Sequence, residues 1–237
     1  MQSVEFPELS HRQVVLTLDE RTLRGVKRGD QEVDAMPALR GRVSVGGPVA
    51  VPVTSRYVAD DSDLRAFVEQ EAKRARYHLV HLGMTFERAG SNDPALEAAS
   101  MEILLSSQDS AVEPIAWSML PLRVNDPSQV RHVVKLGPQL KLHEAEFSLG
   151  SFEHSRTQQH TDVFLEALRE LRADPAWQFE RTKSFALTGS HRLTMVVRAG
   201  RGATVRGLIT VKATIRPRRL LSYRTDLPDP LQLSFDF

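Results

Sequence analysis

Few side chains in this chain sit at spacings that chemistry would use. Of its eight histidines, His154 and His160 lie near Glu153 and Asp162, the one place where imidazoles and carboxylates crowd together. Such a mixture could ligate a metal or relay a proton. His154 and His160 are six apart, however, which does not bring them to one face of a helix, so a polar loop ahead of a helix accounts for them better. His78 and His81 are three apart in an alternating stretch. On a strand they point to opposite faces and cannot share a metal. Glu144 and Glu146 fall on one strand face, where without a pocket they form a solvated pair rather than an acid and a base. No GxSxG elbow and no HExxH helix occur, and Gly46-Gly47 lacks the spacing and following helix of a phosphate loop. The absence of cysteine removes disulfides, thiolate nucleophiles, iron–sulfur clusters and cysteine zinc sites together. The expectation is a non-enzymatic protein with no cofactor and no metal. An enzyme with a dispersed site is kept as an alternative.

Charge is more informative than reactivity. The formal net charge is +1, yet no Asp or Glu occurs from Arg181 to Thr225. That segment holds 11 of the 31 Lys and Arg residues, leaving 20 basic against 30 acidic residues elsewhere. A positive segment on an acidic body can attract phosphate, acidic lipid or an acidic protein face. A charged sheet face that is merely solvated, or paired with the protein's own carboxylates, is the plainer account.

These basic residues must be positioned by the stretch from His191 to Pro217, where alternation is clearest. Leu193, Met195 and Val197 share one parity, and Arg192, Thr194 and Arg198 share the other. Beyond Ala199-Gly200-Arg201-Gly202 the pattern resumes with Val205, Ile209, Val211, Ala213 and Ile215 against Arg206, Thr210, Lys212, Thr214 and Arg216. Two alternating runs around a glycine-containing turn predict a β-hairpin with one apolar and one cationic face, ended by Pro217. The residues expected to meet a partner are Arg192, Arg198, Arg201, Arg206, Lys212, Arg216, Arg218 and Arg219.

Elsewhere the chain reads as short strands with two helices. Strands are expected over His11–Glu20, where Val14, Leu16 and Leu18 share one parity, within Ala38–Tyr57, and along His78–Phe86 and Pro114–Val124. Ala95–Ser107 fits either a helix begun at Asp93-Pro94 or, as the alternation of Ala99, Met101, Ile103 and Leu105 favours, a strand. Val130–Leu136, Leu140–Leu149 and the run from Trp177 to Leu187 continue the series. Prolines 48 and 52 place one of the early strands at an edge. Asp60–Arg76 predicts a helix with caps among Asp60, Asp61 and Ser62 and with Lys73, Arg74 and Arg76 in its last turn. Thr157–Ala173 predicts a second, with Phe164, Leu168 and Leu171 on one stripe and Thr161 as cap. Asp-Pro pairs at Asp93, Asp126, Asp174 and Asp229 mark turns.

The tail from Leu231 to Phe237 alternates strictly. It resembles the bacterial sliding-clamp peptide in its glutamine-leucine start and aromatic end, and resembles the last strand of outer-membrane barrels in its terminal Phe. The clamp resemblance carries an offset, and the N-terminal twenty residues lack a basic-then-apolar leader. A terminal strand docked on the sheet is therefore expected.

Together these features predict an α+β fold, mostly antiparallel β and sandwich-like, with two helices packed on or beside the sheets. The expected organisation is an N-terminal β segment, 1–59, on a helix-plus-meander body, 60–237, whose parts 60–150 and 151–237 carry echoes such as Phe67-Val68-Glu69 and Phe164-Leu165-Glu166. No apolar run approaches the roughly 20 residues of a spanning helix, and the cytoplasm is the expected compartment. The function expected is an assembly component that binds a protein partner through the basic ribbon or a sheet edge. The alternative partner is nucleic acid or an anionic surface, engaged by the 181–225 segment.

Overall fold

Alternating apolar strands need a second apolar layer to face, and here two sheets supply it for each other. The computed structural model describes residues 7–18, 42–87, 95–109, 112–125 and 163–215, with the backbones of strands at 130–135, 141–147, 221–226 and 231–233. The first sheet, A, runs in the order β1 (His11–Gln13), β3 (Val43–Pro52), β4 (Ala75–Phe86), β12 (Gly189–Gly200) and β6 (Ile115–Leu120). The second, B, runs β2 (Thr17–Leu18), β14 (Leu221–Asp226), β13 (Val205–Ile215), β5 (Leu96–Ser107), β11 (Ala176–Glu180), β10 (Val163–Leu168) and β7 (Arg123–Asn125). The tail strand β15 (Leu231–Leu233) docks on β13, as its alternation predicted. A hairpin of β8 (Val130–Lys135) and β9 (Lys141–Phe147) forms a separate two-stranded sheet. Every described pairing is antiparallel.

One parity of each long strand fills the space between the sheets. Val80, Leu82, Met84 and Phe86 of β4 and Leu193, Met195 and Val197 of β12 meet Met101, Ile103 and Leu105 of β5 and Val211, Ala213 and Ile215 of β13. Phe86 and Phe179 touch edge-on across the layers at 5.2 Å between centroids. Trp177 is fully buried and donates its indole N–H to the Pro121 carbonyl at 3.3 Å, so its one polar atom is satisfied. Crossing segments close the sandwich. Residues between β1 and β2 put Val14 and Leu16 into the core, and Pro121 lies where the chain passes from β6 in sheet A to β7 in sheet B.

Among the described residues a single helix, α1 (Ser62–Glu71), lies on the outer face of sheet A. Asp61 caps it, its carboxylate accepting from the N–H groups of Asp63 and Leu64 at 3.0 Å each. Leu64 and Val68 bury themselves against Tyr77, Leu79, Leu120 and Val196, a second, smaller core. The helix ends at Glu71, so Lys73 and Arg74 lie beyond its last turn and Arg76 belongs to β4. No described helix is long and apolar enough to cross a membrane.

Further expectations change. The one strand expected over His11–Glu20 is two short strands in different sheets, β1 and β2. The helix expected over 157–173 is absent from its described part, which is strand β10 followed by a loop; Thr161 lies outside the described residues. A bulge between Val163 and Leu165 turns Phe164 and Leu165 both into the core, so the apolar spacing that mimics a helix is met by an irregular strand. Fit to the sandwich overrides local propensity there. The hairpin expected from His191 to Pro217 does not form. β12 pairs with β4 and β6, β13 pairs with β5, β14 and β15, and the Gly200–Ala203 turn carries the chain from one sheet to the other. Gly202 takes the positive φ, +75°, that this crossing needs. An apolar parity on both runs is satisfied equally by two strands of one sheet or by two strands facing each other. Finally, β3 is one ten-residue strand lying between β1 and β4. Pro48 sits at a bulge after Gly47, and among the described residues the Val49–Pro52 half pairs only with β4, since β1 reaches only to Gly46. The prolines thus occupy an unpaired flank of an internal strand.

Candidate functional site

The crossing at Gly200 splits the basic segment. Inward residues of β12 and β13 face each other, so their outward residues point away from the sandwich on opposite sides. Arg192 and Arg198 lie on the outer face of sheet A, and Arg206 and Lys212 on the outer face of sheet B. Arg201 is exposed in the turn between them. Arg216, Arg218 and Arg219 lie outside the described residues, as do His154, His160, Glu153 and Asp162.

On sheet A, Arg198 reaches the C-terminal end of α1. Its Nη2 is 3.6 Å from Glu71 Oε2, and its guanidinium lies over the Trp117 ring at 5.6 Å. The Tyr77 hydroxyl donates to the same Glu71 oxygen at 3.3 Å. Trp117 meets Tyr77 edge-on at 6.0 Å, and Phe67 of α1 packs on Tyr77 at 5.8 Å. Burial, before any charge, pushes the Tyr77 phenol above its ordinary range. A carboxylate at a helix C-terminus opposes the helix dipole, and Arg198 and Tyr77 offset it. This constellation pins α1 to the sheet. Register alone places Trp117 there, at the bulge where β6 shifts against Val196 and Val197.

The rest of that face is polar and mostly buried. His81, Thr194 and Ser118 all lie under cover. The His11 ring crosses Gly46, where a Cβ would come within 2.9 Å of it, and also nears Gly83. The two facing glycines leave the hollow that this imidazole fills. His78, on the opposite parity from His81, is held down to about 4, by burial first and the Arg76 guanidinium second. His191 packs among Phe86, Phe164 and Phe179 with centroids 5.3–5.6 Å away, and burial lowers its pKa against the opposing pull of the Thr188 carbonyl. No group of three or more metal-ligating side chains assembles among the described residues.

On sheet B, Lys212 Nζ bonds both oxygens of Glu102 at 2.7 Å, and Arg181 bonds Glu97 at 3.0 Å. Between Arg206 and Lys212 on β13 lies Leu208, whose register partner on β5 is Leu104. The two leucines are 41% and 55% exposed. No described element covers this face. The sequence carries a signal for it: Leu104 breaks the alternation of Met101, Ile103 and Leu105, and Leu208 sits on the cationic parity of β13. Glu71, Glu97 and Glu102, carboxylates that meet the basic segment among the described residues, lie far from it in sequence and carry no local signal. No protein-family model matches the chain, and no curated protein matches it in sequence.

Proposed function

We propose that this protein is a non-enzymatic assembly component that binds a protein partner through the outer face of sheet B. The single observation that carries the reading is a face that no described element covers: a sheet whose opposite side builds the core, presenting two directly paired, exposed leucines among basic and acidic residues. Apolar side chains paired on an open sheet face offer a surface that another chain can cover, and contiguous apolar patches mark interaction sites. The split of the basic residues onto opposite faces favours this reading over a cationic ribbon entering a nucleic-acid groove. Titrating the purified protein with duplex and single-stranded DNA at two salt concentrations tests the choice. Tight binding that weakens steeply with salt, and is lost on Arg192→Glu with Arg206→Glu, would transfer the function to nucleic acid. Reproducible turnover of any substrate class would replace it with an enzyme.

A further inference from the structure

We infer that the partner seated on sheet B is a second copy of this chain, related by a two-fold axis that crosses the strands through the Leu104–Leu208 row. This deepens the assembly reading above and rests on it. Three consecutive outward rows carry the argument. Arg206 lies opposite Ser106, Leu208 opposite Leu104, and Thr210 opposite Glu102. On the far side of β5 the antiparallel register continues beyond β11, since Ile103 and Leu105 donate to the carbonyls of Pro175 and Ala173 at 2.9 and 2.7 Å. Asp174 therefore lies beside Leu104, where its carboxylate meets Arg169 Nε at 3.2 Å. Asp174 thus continues the leucine row across the strands as an acid already paired with Arg169, while along the strands the leucine pair is flanked by the Arg206 row on one side and by the Glu102 row on the other.

A two-fold axis along the leucine row turns the strand direction end for end. Leucines then meet leucines, and Arg206 of each copy comes over the Glu102 row of the other, diagonally within reach of an arginine side chain. Glu102 already accepts Lys212 through both oxygens, but a carboxylate has about four lone-pair sites and can accept a second cation. The Arg206 and Glu102 rows on either side of the leucines are complementary to each other across the axis, and Asp174, which the axis brings near its counterpart, is neutralised within each copy by Arg169. A nucleic acid or a uniformly acidic surface would meet carboxylates as well as arginines here, which those partners repel.

Sedimentation velocity over a wide concentration range tests the inference. The expected result is a reversible approach from 26.6 kDa to twice that mass. Leu104→Ser with Leu208→Ser should weaken association at least about tenfold while circular dichroism and the unfolding midpoint of the dilute protein stay unchanged. Arg206→Glu alone and Glu102→Lys alone each juxtapose like charges across the axis and should lower association. Mixed together, the two variants restore both cross-copy pairs and should form a heterodimer. A chain that stays monomeric throughout, or a dimer indifferent to both leucines, overturns the inference. Monomeric behaviour leaves the assembly role to a different protein, whereas turnover by the monomer would remove that role as well.

Discussion

The two outer faces of the sandwich begin from the same kind of strand and end in opposite environments. On β12 the outward parity reads Arg192, Thr194, Val196, Arg198; on β13 it reads Arg206, Leu208, Thr210, Lys212. Val196 is fully buried under α1, while Leu208 faces solvent. Arg198 is half-buried over an indole and against Glu71, while Lys212 makes its ion pair with Glu102 in a more open setting. Strand chemistry did not decide these fates. The insertion between β3 and β4 did, by folding Val53, Val58, Leu64 and Val68 back over sheet A. An alternating strand specifies which side chains leave the core; another element specifies whether they reach water.

The sharpest way to break this contrast is to truncate one leucine on each face. Leu79→Ala, beneath α1, should cost about 3 kcal/mol, the usual loss of transfer energy plus a cavity. Leu104→Ala should change stability by no more than about 0.5 kcal/mol when measured at concentrations too low for self-association. Urea unfolding of the two variants checks this, and equal costs would mean that sheet B is as well covered as sheet A.

A second difference is acid sensitivity. His78, His81 and His191 all belong to sheet A strands, and the described strands of sheet B hold no histidine. An unfolded imidazole titrates near 6.5, whereas folded His78 is held down to about 4. As pH falls the unfolded chain takes up the proton first. The stability contributed by neutral His78 is therefore complete above pH 6.5 and is lost between about 6.5 and 4. One such group gives a slope of at most about 1.4 kcal/mol per pH unit, and His191 adds to it in the same direction. Urea midpoints measured from pH 8 to pH 5 should fall, and His78→Gln should flatten that fall. A pH-independent midpoint in the unmodified chain would show that neither histidine is desolvated.

These differences also mark what could be read without coordinates. Period-two alternation located β4 and β13 closely and favoured strand over helix for β5, and Asp61 ahead of Leu64 and Val68 located α1, because these signals depend on near neighbours. The hairpin failed because face periodicity says nothing about which strand lies alongside; Gly200 to Gly202 suit a crossing as well as a tight reversal. The second helix failed because a bulge at Phe164 imitates helical spacing. The partners of the basic side chains were invisible for a different reason. Glu71 meets Arg198, and Glu102 meets Lys212 across 110 positions, so only the three-dimensional pairing of β12 and β13 with their neighbours reveals them.

Arg198→Ala should loosen α1 without unfolding the sandwich. It removes the Glu71 pair and the apolar stem packed over Trp117, for a cost of about 1–2 kcal/mol. Trp117 emission should shift to the red while the deeply buried Trp177 is unaffected, and amide exchange should quicken in 62–71 alone. Protection lost equally across both sheets would mean that Arg198 supports the whole fold rather than the cover.

The matching change on the other face, Lys212→Met, should be the smallest of all. The Lys212–Glu102 contact has good geometry at 2.7 Å, but the side chains are 41% and 35% exposed, and water screens the attraction. Its removal should cost no more than about 0.5 kcal/mol, and the cost should vanish in molar salt, where the screening length drops to about 3 Å. In dilute protein at low salt this isolates the pair itself. At concentrations where copies associate, the same variant frees Glu102 to accept Arg206 of the second copy without competition, so association should hold or strengthen. A loss of association on Lys212→Met would make the lysine, not the arginine, the cation that crosses between copies.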